Sequence, residues 1–175
     1  MAMLTILLLL SAAIVLGEAF DLRATKAGVV EEQQEEGAAE SDRPCPGGWT
    51  KYESRCFMFV NTAMTWPQAE NYCLSLEANL ASVHNCGENS HLQQLVLKNT
   101  GQHQATWIGG SDAVKSKQWF WSDGSKFDYQ NWEKGEPNNY GDIERCLQMN
   151  YGDDKKWNDL NCGEKLPLVC ALRTS

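Results

Sequence analysis

All seven cysteines of the chain fall between Cys45 and Cys170, and so do all seven tryptophans. Cysteine at this density in a short chain restricts the fold to one that cross-links can staple, provided the compartment is oxidising. The N-terminal residues point to such a compartment. Leu4 to Leu10 is an apolar run, extended by Ala12 to Leu16 and followed by the small residues Gly17 and Ala19. It is too short to span a bilayer. Residues 1–19 therefore read as a secretory signal peptide, although the start lacks the usual Lys or Arg. No second apolar stretch is long enough to anchor the chain, so the expectation is a secreted, extracellular protein without a membrane span.

Residues 20–43 differ in composition. Glu31, Glu32, Glu35, Glu36, Glu40 and Asp42 crowd a stretch nearly free of aromatics. Such a segment buries too little surface to offset its ordering entropy. It reads as an acidic propeptide or a flexible tail, or as a helix formed only on a partner. The net charge of −8 opposes nucleic-acid binding, which needs a basic face, and suits a protein that recruits a cation. The chain contains no Asn-x-Ser/Thr sequon, so no N-linked glycan is expected.

Residues 44–175 form the folding domain. Lys51–Tyr52 and Cys56–Val60 read as two strands joined at Glu53-Ser54-Arg55. Thr65 reads as the N-cap of a helix with Pro67 in its first turn and Ala69, Tyr72, Cys73 and Leu76 on one face. A second helix is expected from about Glu88 to Asn99, with Leu92, Leu95 and Val96 inward and Gly101 as its stop. Cys86 falls in the polar stretch between the helices. Ala105 to Gly110 and Trp119 to Trp121 read as strands, with a turn at Ser122-Asp123-Gly124. Trp132 to Arg145 is a long stretch of Gly, Pro, Asn and acids, and long ordered loops are usually functional. Strands are then expected at Cys146–Met149, Lys156–Trp157 and Leu168–Leu172. Two helices followed by a strand-and-loop half give an α+β domain.

The loop stretch concentrates oxygen donors: Glu136, Asn138, Asn139, Asp142 and Glu144, then Asp153, Asp154, Asn158 and Asp159. Calcium takes six to eight such ligands. The spacing does not match the helix–loop–helix calcium motif, and composition alone equally allows a solvated acidic loop. Enzyme readings fare badly. His84, His91 and His103 have no metal-type spacing and read as surface residues, and no nucleophile elbow, zinc helix motif or phosphate loop is present.

Taken together, Trp107-Ile108-Gly109, Glu136-Pro137-Asn138 and Trp157-Asn158-Asp159 resemble the signatures of the C-type lectin-like domain family, in the family's order and in register with Cys146, Cys162 and Cys170. The likeness covers nearly all of residues 44–173, and the short layout is similar to that of small secreted fish lectins. The resemblance implies a disulfide-stapled fold of two helices, antiparallel strands and a long calcium- and sugar-binding loop region. It implies the pairs Cys45–Cys56, Cys73–Cys170 and Cys146–Cys162. Closing the long loop between Cys73 and Cys170 is worth about 4 to 5 kcal/mol in the chain-entropy model. Cys86 is left over, which in a secreted protein suggests an intermolecular bond.

The same resemblance implies one calcium held by Glu136, Asn138, Glu144, Asn158 and Asp159, with a cis peptide bond before Pro137. Two neighbouring sugar hydroxyls would complete the shell, donating to carboxylates and accepting from the amides of Asn138 or Asn158. Glu-Pro-Asn goes in this family with equatorial hydroxyls, as in mannose, glucose or N-acetylglucosamine. Gln-Pro-Asp goes with galactose. Tyr140 is placed either to pack on the sugar ring or to stand as an ordinary loop aromatic. Asp112 and Asn139 would suit a second calcium, but Ser116 and Arg145 stand where the resemblance leads one to expect acids. One functional calcium is therefore expected. The expected partners are mannose-type sugars and microbial glycans, with a disulfide-linked homo-oligomer through Cys86. Alternatives on the same fold are an ice-binding antifreeze protein and a protein-binding domain without sugar binding.

Overall fold

The computed structural model describes residues 44–172, so the expected signal peptide and acidic segment lie outside the described residues. β1 (Thr50–Tyr52) and β2 (Arg55–Met64) form the opening hairpin, followed by α1 (Trp66–Leu74), β3 (Ala78–Leu80) and α2 (Cys86–Thr100). Then come β4 (Thr106–Ser111), β5 (Phe120–Trp121), β6 (Glu144–Tyr151), β7 (Lys156–Asn161) and β8 (Leu166–Leu172).

The strands join in the order β1-β2-β8-β4-β6-β7, with β3 on β8 and β5 on β4. The expectation of antiparallel strands needs one correction: β4 and β8 run parallel, meeting at Trp107 and Leu168. This parallel seam joins the terminal half of the sheet to the half that carries the loops. Two indole N–H groups brace the join, Trp107 donating to Met64 O at 2.9 Å and Trp66 to Ile108 O at 2.9 Å. Gly109 and Gly110 follow because there is no room for more. A Cβ on Gly109 would stand 2.6 Å from the Leu80 carbonyl, and one on Gly110 2.6 Å from the Leu147 side chain.

Thr65 does cap α1, its N–H donating to Gln68 Oε1 at 3.1 Å. The helix ends at Leu74, however, and Leu76 is exposed rather than inward. Glu77 takes a left-handed φ of 59° and turns the chain into β3. The second helix starts earlier than expected. Asn85 is its N-cap, accepting from Glu88 N at 2.8 Å, and so Cys86 opens the helix instead of lying in the connection before it. Gly101 closes it with a φ of 76°.

The core has two lobes. Leu80, Trp107, Leu168 and the Cys73–Cys170 bridge pack under α1. Phe57, Leu92, Val96, Ile108, Leu147 and Trp157 pack under α2. Cys45–Cys56 ties the first hairpin and Cys146–Cys162 joins β6 to the end of β7. His91 and His84 are not free surface residues. His91 lies against Tyr52 and Phe57, and its charged form is disfavoured by burial. His84 sits between Asp128 at 2.9 Å and Ser82 at 3.1 Å. Among the described residues no helix is long and apolar enough to cross a membrane.

Candidate functional site

The loop between β5 and β6 is anchored on Trp157. Trp157 N donates to Asn131 O and Trp157 O accepts from Glu133 N, each at 2.8 Å, so residues 131–133 run alongside β7. Trp157 is fully buried, donates its indole N–H to Asn89 Oδ1 at 2.8 Å, and meets Trp121, Phe127, Tyr129 and Trp132 edge to face. This aromatic block fixes where the loop leaves the sheet.

From there the chain turns, with Glu136 N on Glu133 O at 3.0 Å and Gly135 at a φ of 96°. The Glu136–Pro137 bond is cis. The two residues after it are pinned by one side chain of β7: Asp159 accepts from Asn138 N at 3.0 Å and from Asn139 N at 2.7 Å. Asn139 takes a left-handed φ of 47°, which asparagine tolerates better than most residues, and leads into a short 3-10 turn, Tyr140–Asp142. The turn closes onto β6. Asn139 Oδ1 accepts from Glu144 N at 3.1 Å, and Glu144 Oε2 accepts from Tyr140 N at 3.1 Å.

Glu136, Glu144 and Asp159 are thereby gathered in one place. Burial raises the Glu136 carboxyl above its ordinary range, and the charge of Asp159 raises it further. Burial also raises Glu144, with the Tyr140 N–H opposing and Asp159 adding to the effect. Glu136 Oε2 is buried with no hydrogen-bond partner. Asn158 precedes Asp159 on β7 and is buried opposite Gln148. Asn138 and Tyr140 lie on the open side, Tyr140 being 77% exposed.

Among the described residues, no three His, Cys, Asp or Glu side chains are grouped so as to hold a metal ion by themselves. An orphaned buried carboxylate oxygen, two glutamates that resist ionisation and neighbouring amide donors fit a hard, oxygen-seeking dication.

Asp112 and Asn139 do not share a second acidic cluster. Asn139 braces the turn as described, and Asp112 Oδ2 accepts from Lys117 N at 2.7 Å and pairs with Arg145 at 3.3 Å. Cys86 is exposed at the head of α2. Sequence reasoning gave Glu70 no role. It accepts from Leu80 N at 2.8 Å and from Ser122 Oγ at 2.9 Å, joining α1 to the turn after β5. Its partners lie beyond the helix, on β3 and after β5, and no pattern within the helix announces them.

A stapled α+β fold with an acid-and-amide loop over a buried Trp-Asn-Asp strand is the frame of a C-type lectin domain. The chain matches the Lectin C-type domain over residues 62–172 and belongs to that family, one of carbohydrate-binding, non-enzymatic proteins. It is 52% identical over 138 residues to ladderlectin of Oncorhynchus mykiss, covering 75% of this chain and 73% of that protein. It is 51% identical over 86 residues to the galactose-specific lectin nattectin of Thalassophryne nattereri, covering 49% of this chain and 54% of that one. Herring type II antifreeze protein has the same fold, with a TM-score of 0.70 and 34% identity over 75% of this chain and 100% of its own.

Proposed function

We propose that this protein is a secreted, calcium-dependent lectin that prefers mannose-type sugars, binding one calcium. The observation that carries the reading is the convergence of Glu136, Glu144 and Asp159 around a buried Glu136 Oε2 without a partner. Glu136, Asn138, Glu144, Asn158 and Asp159 would hold the ion, which when bound supplies positions for two neighbouring sugar hydroxyls. The carboxylates accept a hydroxyl proton, and the amides of Asn138 and Asn158 donate to the hydroxyl oxygen. The order Glu136-Pro137-Asn138 supports equatorial hydroxyls, as in mannose, glucose or N-acetylglucosamine. Tyr140 stands exposed beside Glu144, available to the sugar ring.

A hexose has about twelve heavy atoms, and at about 0.3 kcal/mol each this gives roughly 4 kcal/mol, a millimolar affinity. Linking sites raises avidity by about 10² to 10⁴. The exposed Cys86 supports a disulfide-linked oligomer, and microbial surface glycans, dense in repeated sugars, suit such an assembly. Two other readings have support among the relatives: galactose, from the galactose-specific lectin nattectin, and ice binding, from the herring antifreeze protein. A glycan array run with calcium and with chelator tests the proposal. Mannose-type binding lost in chelator is expected. Chelator-resistant binding, or none, would refute it. Galactose binding would refute the preference alone, and an ice-growth assay addresses the antifreeze reading.

A further inference from the structure

Asp112 lies just past the end of β4 and is only 3% exposed, yet it carries a carboxylate. Its Oδ2 accepts from Lys117 N at 2.7 Å, while Oδ1 is buried with no hydrogen-bond partner. A carboxylate taken from water needs a counter-charge. The guanidinium of Arg145 supplies it at 3.3 Å. The backbones of the two residues are also tied: Arg145 O accepts from Asp112 N at 3.1 Å and from Ser111 Oγ at 2.8 Å. Arg145 directly follows Glu144, whose N–H and Oε2 hold the 139–142 turn. The ion pair of the buried Asp112 with the partly exposed Arg145 thus stands at the very next residue to the carboxylate that closes the candidate site.

We infer that Arg145 is a positioning residue: its charge clamps the segment after β4, residues 112–117, to the root of the 139–144 turn and so sets Glu144 in place before any ligand arrives. The clamp acts through preorganisation. A turn already held in its binding geometry loses less freedom on binding. The effect on calcium rests on the proposed site, whereas the ordering of the two segments does not.

The test uses the full chain with Arg145→Gln, which removes the charge, and Arg145→Lys, which keeps it. The backbone bonds to Arg145 O survive in both, so both are expected to fold. In chelator, amide hydrogen exchange at residues 112–117 and 139–144 should quicken in the Gln variant and stay near wild type in the Lys variant. In a calcium titration, the Gln variant should bind roughly tenfold more weakly, equivalent to about 1.4 kcal/mol. Its sugar binding at saturating calcium should match wild type, a split that general misfolding would not give. Unchanged exchange in the Gln variant, or a Lys variant no better than Gln, overturns the inference. If the wild type binds no calcium, the proposed site fails, and the exchange comparison still decides the clamp.

Discussion

Trp157→Phe probes the anchor of the whole loop. Trp157 is fully buried, and its indole N–H donates at 2.8 Å to Asn89 Oδ1 on a residue only 5% exposed. Phenylalanine is smaller and has no donor. At about 24 cal/mol per Å³, a void of roughly 40 Å³ costs about 1 kcal/mol. Leaving Asn89 Oδ1 buried without its partner costs about 1–3 kcal/mol more. The expected loss is about 2–4 kcal/mol, read as a shift of the midpoint in urea denaturation with chelator present. The second half of the test removes the orphan. Asn89→Leu alone should be costly, because it strands the indole N–H. In the Trp157→Phe background it should cost less, since neither polar group then remains. A Trp157→Phe protein within about 0.5 kcal/mol of wild type, or full additivity of the two changes, would refute the reasoning.

Three further outcomes are expected. Glu136→Gln with Asn138→Asp should move sugar preference from mannose toward galactose, measured by competitive elution; an unchanged preference would assign selectivity to other contacts. Glu136 and Glu144 have raised carboxyl pKa values without metal, so protons should compete with calcium from above the ordinary glutamate range of about 4.3. The sign in chelator is opposite: a raised folded-state pKa stabilises at low pH and loses that contribution as pH rises through it. Between pH 7 and about 5 the melting curves with calcium and with chelator should therefore converge, above the range where the lowered Asp123 and Asp128 protonate. Parallel curves would argue against these carboxylates as ligands. Cys86→Ser should turn a covalent oligomer into monomer on a non-reducing gel and weaken binding to dense glycan surfaces, while single-sugar affinity stays the same; a wild-type protein that is already monomeric would rule the linkage out.

Much of the fold was legible because it is written in local chemistry. Thr65 marks a helix start with its own side of a capping box, and Gly101 marks a helix end with a conformation other residues resist. Trp107-Ile108-Gly109-Gly110 reads as a buried strand, and the two glycines turn out to be places where neighbouring chains leave no space. What escaped is written in distant contacts. The parallel seam at Trp107 and Leu168 joins residues far apart in sequence. Cys86 looked like a loop residue because Asn85, its cap, is polar in the same way that loops are. Leu76 kept helical spacing with Cys73, but the helix had already ended at Leu74.

The candidate site shows the same division within a single loop. The acids and amides of residues 136–144 and 158–159 could be picked out as oxygen donors, but their roles could not be separated. In the structure they split by what the backbone asks of them. Asp159 spends both oxygens on the N–H groups of Asn138 and Asn139. Asn139 spends its carbonyl on Glu144 N, and Glu144 one oxygen on Tyr140 N. Glu136 keeps a buried oxygen with no such partner. Hydrogen bonds to a carboxylate favour its charged form, and burial beside other carboxylates opposes it. Asp159 has both oxygens engaged by the backbone, and Glu136, raised by burial and by the neighbouring carboxylates, is the member most in need of an external cation. Removing calcium should consequently release Glu136 first while the Asp159-bound stretch, residues 138–139, keeps its place.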